Sequence, residues 1–262
     1  MFELINPIVI GGAVAVGVFV GVLSFLFLGH WIGTRAIARG AKPAHNIASL
    51  EGAVFALLGL MIAFTFSGAL SRFDLRRAQA VDEANAIGTA YLRIDLLPAS
   101  TQPPLREAFR HYVDARIATY RSLPNIHAAN RAVSRASQLQ GEIWTQAVAA
   151  LRLQEARPQT EVLLLPAINQ MFDIATVRLT ATQIHPPLIV YVMLIGLAFA
   201  SALLSGYQSA EGMSYDWMHK IGFAVVVAFT VYVTLDIEYP RLGFIRLDAI
   251  DQLLVNARAA MR

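Results

Sequence analysis

Four groups of residues in this chain have types and spacing that invite chemistry. Glu83, Asn85 and Thr89 lie in one polar stretch, EANAIGTAYLRIDLLP, with Asn85 and Thr89 four apart and so on one helix face. They offer carboxylate, amide and hydroxyl oxygens, a donor set suited to an ion or a partner. The plainer reading is a set of buried polar contacts that fixes register between neighbouring helices. Asp236 and Glu238 end an apolar run and invite a site of the same kind, or interfacial pairing with Arg241, Arg246 or Arg72 of a neighbouring helix. Glu51, just before another apolar run, would form a charged ring at a pore mouth if the chain oligomerises, or serve as an acid at a helix N-terminus. Leu58, Ile62 and Phe66, at spacing four, would make a hydrophobic constriction in such an oligomer; a packing seam has the same pattern.

Other chemistries have no residues to carry them. There is no Cys, which removes disulfides, thiolate metal sites and cysteine nucleophiles together. His30, His45, His111, His127, His185 and His219 form no i, i+4 pair and no His/acid cluster with ligand spacing, so neither a metal nor a cofactor is expected. No G-x-S-x-G, Walker or G-x-G-x-x-G pattern occurs and no nucleophile–base pair stands out, so the chain does not read as an enzyme. A formal charge of +3 is too small and dispersed for a nucleic-acid partner.

The elements that must position these residues are written in the composition. The chain has 262 residues, 56% hydrophobic and only 15% charged, against roughly 25% charge in ordinary soluble domains. Its apolar excess is concentrated near both ends. A bilayer span needs about 20 apolar residues in a helix, and four segments supply them: 7–29, 52–71, 186–206 and 221–239. The intervening 72–185, with 13 Arg and 10 acidic residues, has soluble composition. The expected organisation is two spans and a short loop over 7–71, a water-soluble helical domain over 72–185, two spans over 186–239, and a C-terminal tail over 240–262. Gly17 and Gly21 form a GxxxG pattern suited to helix packing in the first span. The start, MFELINP, lacks a positive n-region, so the first span reads as a retained anchor.

The fold class is all-α: four transmembrane helices plus a soluble helical bundle continuous with the second span. Phe73, Ala80, Ala84, Ile87, Tyr91 and Ile94 follow an apolar seam of the coiled-coil type, with Arg77 at its one polar position. No Pro occurs between Pro43 and Pro98, so the second span and the polar stretch can form one rod of roughly 75 Å, more than twice the bilayer core. Gly88 beside the seam would admit a close neighbour, and Pro98 would end the rod. Three further helices are expected: one capped by Thr101 and starting at Pro103-Pro104, one over about 126–155, and one from near Thr160 that bends at Pro166.

Four spans put both termini on the side of the soluble domain. In short loops and tails, Arg35, Arg39, Lys42 and Lys220 balance Arg241, Arg246, Arg258 and Arg262. Arg72, Arg76 and Arg77 beyond the second span tip the positive-inside count towards a cytoplasmic domain in a bacterial inner membrane.

Two stretches carry a family resemblance. The run HNIASLEGAVFALLGLMIAFTFSGALSRFDLRRAQAVDEANAIGTAYLRIDLLP resembles the bacterial bestrophin-like membrane proteins of unknown function. LDIEYPRLGFIRLDAIDQLL is similar to that family's Asp-x-Asp-x-Pro-Arg-x-Gly-x-Ile-Arg pattern, through Asp236, Glu238, Pro240, Arg241, Gly243, Ile245 and Arg246, with Glu in place of the second Asp. The resemblance covers about 45–121 and 185–254. It implies an anion-channel-like fold, since true bestrophins are pentamers whose second span lines the pore. The acidic calcium clasp of animal bestrophins has no counterpart here.

Two functional readings follow. One is a homo-oligomeric ion channel with the second span around a central pathway, its partners the lipid bilayer, its own copies and inorganic ions. The other is a non-conducting membrane scaffold or signalling subunit whose helical domain binds a partner. The first three spans hold no ionisable residue between their ends except the border group Glu51, which argues against proton-coupled transport more strongly than against a passive pore.

Overall fold

The polar stretch and the second apolar run are one helix. In the computed structural model, which describes residues 7–40, 46–123, 125–211, 217–240, 244–245 and 248–261, this helix covers Asn46–Arg93, 48 residues without a break. It closes in a short 3-10 turn at Ile94–Leu96, after which Leu97 is extended (φ −81°, ψ 160°), as a residue before proline must be. Numbered in chain order, the helices are α1 (Pro7–Ala38), α2 (Asn46–Arg93), α3 (Gln102–Arg121), α4 (Ile126–Leu151), α5 (Pro158–Ala181), α6 (Leu188–Gln208), α7 (Trp217–Glu238) and α8 (Asp248–Ala260). Among the described residues there is no strand.

These helices form two compact units. One comprises Phe2–Phe73 and His185–Phe244 and contains α1, the apolar half of α2, α6 and α7. Its core gathers Val18, Val22, Leu26, Leu58, Leu194, Ala198 and Val231. Here α1 and α6 cross at backbone contact distance. A Cβ on Gly29 would fall 2.0 Å from the Leu203 carbonyl oxygen, and one on Gly206 would fall 2.1 Å from that of Leu26. Only glycine fits such a crossing, the arrangement small residues permit in membranes. Of the expected GxxxG pair, Gly21 faces the Phe199 ring, whereas Gly17 has open space where its Cβ would be. The tight crossing therefore lies nearer the end of α1 than the motif implies.

The other unit comprises Asp74–Ile184 and Ile245–Arg262. Its core joins Ile87, Tyr91 and Ile94 of α2 with Phe109 and Tyr112 of α3, Leu139 and Ile143 of α4, and Leu164, Ile168 and Met171 of α5. Tyr91 meets Phe109 edge-on at 6.1 Å, and Tyr112 meets Phe172 at 6.3 Å. Thr101 does precede α3, but its hydroxyl donates to the Pro98 carbonyl (2.8 Å) and accepts nothing from the helix. Asn125 is the side-chain cap that forms, accepting from the Ala128 N–H at 3.0 Å. The segment that reads as a tail contains α8, whose Leu254 is buried in this core together with Met261 just beyond the helix.

Among the described residues, five helices are long and apolar enough to cross a membrane: α1, α2, α5, α6 and α7. The helix α5 is not among the expected spans. It contains Pro166 and carries a buried stripe of Leu164, Ile168, Met171, Ala175 and Arg178.

Candidate functional site

The buried face of α2 runs through Arg76, Ala80, Glu83, Ile87, Tyr91 and Ile94. It is turned by one residue from the expected seam at its start, so Arg76 is inside, whereas Arg77 is exposed beside Asp74 at 3.5 Å. Arg76 donates to the Ala181 carbonyl (3.2 Å) and the Ile184 carbonyl (3.1 Å). It thus covers the C-terminal end of α5, where unsatisfied carbonyls and the helix dipole both favour a cation.

Further along the same face, Glu83 is fully buried and is the centre of an ionic network that local sequence does not reveal. One carboxylate oxygen accepts from Arg116 Nε of α3 at 2.5 Å, the other from Arg178 Nη1 of α5 at 2.6 Å. Arg178 continues to Asp251 of α8, donating from Nη2 at 2.5 Å. Tyr120 closes the cluster. Its hydroxyl accepts from Arg116 Nη2 at 2.5 Å, and its ring centre lies 3.9 Å from the Arg178 guanidinium. Two carboxylates and two guanidiniums sum to zero charge, the condition under which buried ions persist. Burial pushes the Glu83 carboxyl up, but the charges of Arg116 and Arg178 outweigh it and hold the group below its ordinary value. Nearby, burial pushes the Tyr112 hydroxyl up to about 12.

Glu83 is thereby separated from Asn85 and Thr89, its neighbours in the polar stretch. Those two lie on another face of α2 and, with Asp82, Asn169, Gln170 and Asp173, line a polar groove between α2 and α5. Gly88 has no atom of the described chain where its Cβ would sit. Among the described residues, the expected close neighbour is absent at that point.

A second ionic cluster forms in the other unit. Glu238 at the end of α7 is fully buried and accepts from Arg72 Nε (3.0 Å to each oxygen) and Nη2 (2.7 Å). His185 Nδ1 lies 3.0 Å from the same carboxylate, and its ring stacks on Tyr239 at 4.5 Å. Asp236 accepts the Phe244 backbone N–H at 3.0 Å. Arg241 and Arg246 lie outside the described residues.

The apolar positions diverge. Leu58 is 3% exposed and belongs to the same cluster as Val22 and Leu194, so its side chain faces the chain's own interior. Ile62 is half-buried at the edge of that cluster, and Phe66 is 37% exposed. Steps of four drift by about 40° per step on a 3.6-residue helix, which turns the three residues progressively outwards. Glu51 is half-buried at the start of α2.

The comparisons with known proteins agree with this architecture. The sequence profile described as the bestrophin-like domain matches residues 17–249, most of the chain. The chain belongs to the bestrophin-like family. As a member with several long apolar helices, it is a multi-pass membrane protein. The fold is similar to the crystal structure of a bacterial bestrophin homolog from Klebsiella pneumoniae that carries a point mutation. The TM-score is 0.64 at 14% identity, covering 93% of this chain and 98% of that one. No protein of curated function matches the bestrophin-like chain in sequence.

Proposed function

We propose that this bestrophin-like chain assembles as a homo-oligomer, with five copies as the family resemblance implies, and conducts inorganic ions along a pathway lined by α2. The observation that carries the reading is the outward stripe of α2. At steps of three and four residues it passes through Leu57, Leu60 and Phe64, then Asp82, Asn85 and Thr89. One unbroken helix thus offers an apolar face followed by a polar face, as a constriction leading into a hydrated vestibule requires. Leu60 and Phe64 are the constriction candidates on this stripe; Ile62 falls on the opposite side of the helix with the buried Leu58, and Phe66 lies between the two faces. Glu51 remains a candidate for the mouth.

In this reading α1, the apolar half of α2, α6 and α7 are the four spans, and residues 72–185 form the water-soluble part. The helix α5 stays out of the bilayer because its apolar stripe is already buried in a protein core and includes the ion-paired Arg178. The membrane is the bacterial cytoplasmic membrane, with the soluble unit on the cytoplasmic side.

Ion flux from proteoliposomes, paired with the mass of the detergent-solubilised assembly, tests the proposal. A conducting oligomer whose flux changes with Phe64→Ala and Leu60→Ala is the expected result. An oligomer without flux in wild type and both variants would leave the scaffold reading in its place. A monomer would exclude a pathway around α2.

A further inference from the structure

A groove of about 720 Å³ opens between α1 and α7, a size typical of small-molecule sites. We propose that it is a binding site for one anionic phospholipid, with the acyl chains against α1 and the headgroup phosphate at Lys220. The inference rests on the multi-pass membrane assignment and is independent of conduction.

Three features of the lining identify the occupant. Leu23, Leu26, Phe27 and Leu28 give the groove an apolar wall along α1. The stretch from Leu23 to Trp31 extends about 12 Å along the axis. Trp31 and Trp217 stand where the apolar run of α1 ends and that of α7 begins, the level at which indoles mark the membrane–water boundary. The charged groups described at the groove are cations. Lys220 is part of the lining, the Arg35 guanidinium lies 3.7 Å from the Trp31 ring centre, and no carboxylate is among the described lining residues.

Lys220 is held in place from beneath. The Ser209 hydroxyl gives its proton to the Gly206 carbonyl (2.7 Å) and accepts from Lys220 Nζ at 2.9 Å. His30 Nδ1, 3.2 Å from the same oxygen, then faces it as a donor. The ammonium is thus anchored to the ends of α1 and α6.

Two indoles could also cradle a choline ammonium. Here Arg35 already covers one of them and Lys220 stands in the wall, so a cationic headgroup is repelled and a phosphate without a compensating cation is favoured. Basic pockets between membrane helices select anionic headgroups on the same grounds.

The chain's own fluorophores report occupancy. The full-length protein with Trp144→Phe keeps only Trp31 and Trp217. It is reconstituted in phosphatidylcholine vesicles doped with brominated phosphatidylglycerol or brominated phosphatidylcholine. Brominated phosphatidylglycerol is expected to quench emission at a mole fraction lower on the order of fivefold for each of the two cations. Lys220→Gln should remove about fivefold of that preference and Lys220→Arg should retain it, with thermal melting showing that each variant is folded. If Lys220→Gln does not fold, Arg35→Gln takes its place with the same expectation. Equal quenching by both lipids would reduce the site to ordinary lipid contact. Absence of quenching by either would mean that another copy of the chain covers the groove. A preference unchanged by the substitutions would remove the cations from the account. Each of these results overturns the proposal, and none depends on whether the protein conducts.

Discussion

Glu83 and Glu238 are both fully buried, and each is held by two basic side chains, but their partners differ. Arg116 and Arg178 are themselves inside, at 3% and 4% exposure, and a second carboxylate from α8 balances them. Arg72 and His185 are 27% and 26% exposed, so each reaches the surface. The first cluster ties four helices of its unit together through charges of which Glu83, Arg116 and Arg178 are almost wholly out of water. The second joins α2 to the end of α7 and the chain just before α6, with part of its charge still open to the surroundings. Similar groups therefore serve one unit as an interior support and the other as a boundary clasp.

The comparison can be broken by neutralising each glutamate. Glu83→Gln leaves two guanidiniums buried without their anion, and a loss of about 3–5 kcal/mol is expected. It would be read as a steep fall in the thermal midpoint in detergent or as failure to accumulate folded protein. Glu238→Gln should cost less, about 1–3 kcal/mol, because its partners can recover hydration. Equal losses at the two sites would erase the distinction between them.

A second difference concerns how each unit is packed. The membrane-type unit relies on backbone proximity at Gly29 and Gly206, where the ionic unit relies on charges. Gly206→Val must push α6 away from the Leu26 carbonyl and should cost about 1–3 kcal/mol or more. The same substitution at Gly88, which has open space, should have little effect on a monomer's packing. Comparable melting losses at the two glycines would contradict the crossing described for α1 and α6.

Acid offers a graded version of the first test. The folded Glu83 carboxyl lies below its ordinary value of 4.5. Its contribution is therefore complete above that pH and is lost as pH falls through the lower, folded value. Melting curves collected downwards from pH 5 should show a destabilising component that Glu83→Gln lacks. The smallest effect belongs to Arg258, which pairs with Asp114 at 2.9 and 3.2 Å on the exposed side of α8. Arg258→Ala should cost at most about 1 kcal/mol and less in high salt. Hydrogen exchange should still find α8 docked through Leu254 and Asp251.

Much of the helical plan is legible in the sequence because its causes are local. The Pro-free run up to Pro98 and its three-four apolar spacing specify an unbroken α2, and Pro103-Pro104 marks the start of α3. Burial on α2 is harder to read. A seam chosen from apolar residues places Arg77 inside and Glu83 beside it, yet the helix buries Arg76 and Glu83 instead. The missed partners do leave a trace. Arg116 continues the steps of Leu105, Phe109 and Tyr112, and Arg178 those of Ile168, Met171 and Ala175. A charged residue in phase with an apolar stripe signals burial, but its counter-ion is 33 or 95 positions away, beyond any local pattern. The α8 helix reads as a tail because its apolar face is short and acquires meaning only against the core that receives Leu254.

The central claim is that the outward face of α2 lines an ion pathway, and the absence of cysteine from the chain allows one direct measurement. Single-cysteine variants Phe64→Cys and Leu58→Cys are recorded in planar bilayers before and after a water-soluble, charged thiol reagent. The account predicts ion currents from both, an abrupt change in current on modifying Phe64→Cys, and little change for the buried Leu58→Cys. No current from a folded, oligomeric protein, or modification at Leu58→Cys with none at Phe64→Cys, would contradict it.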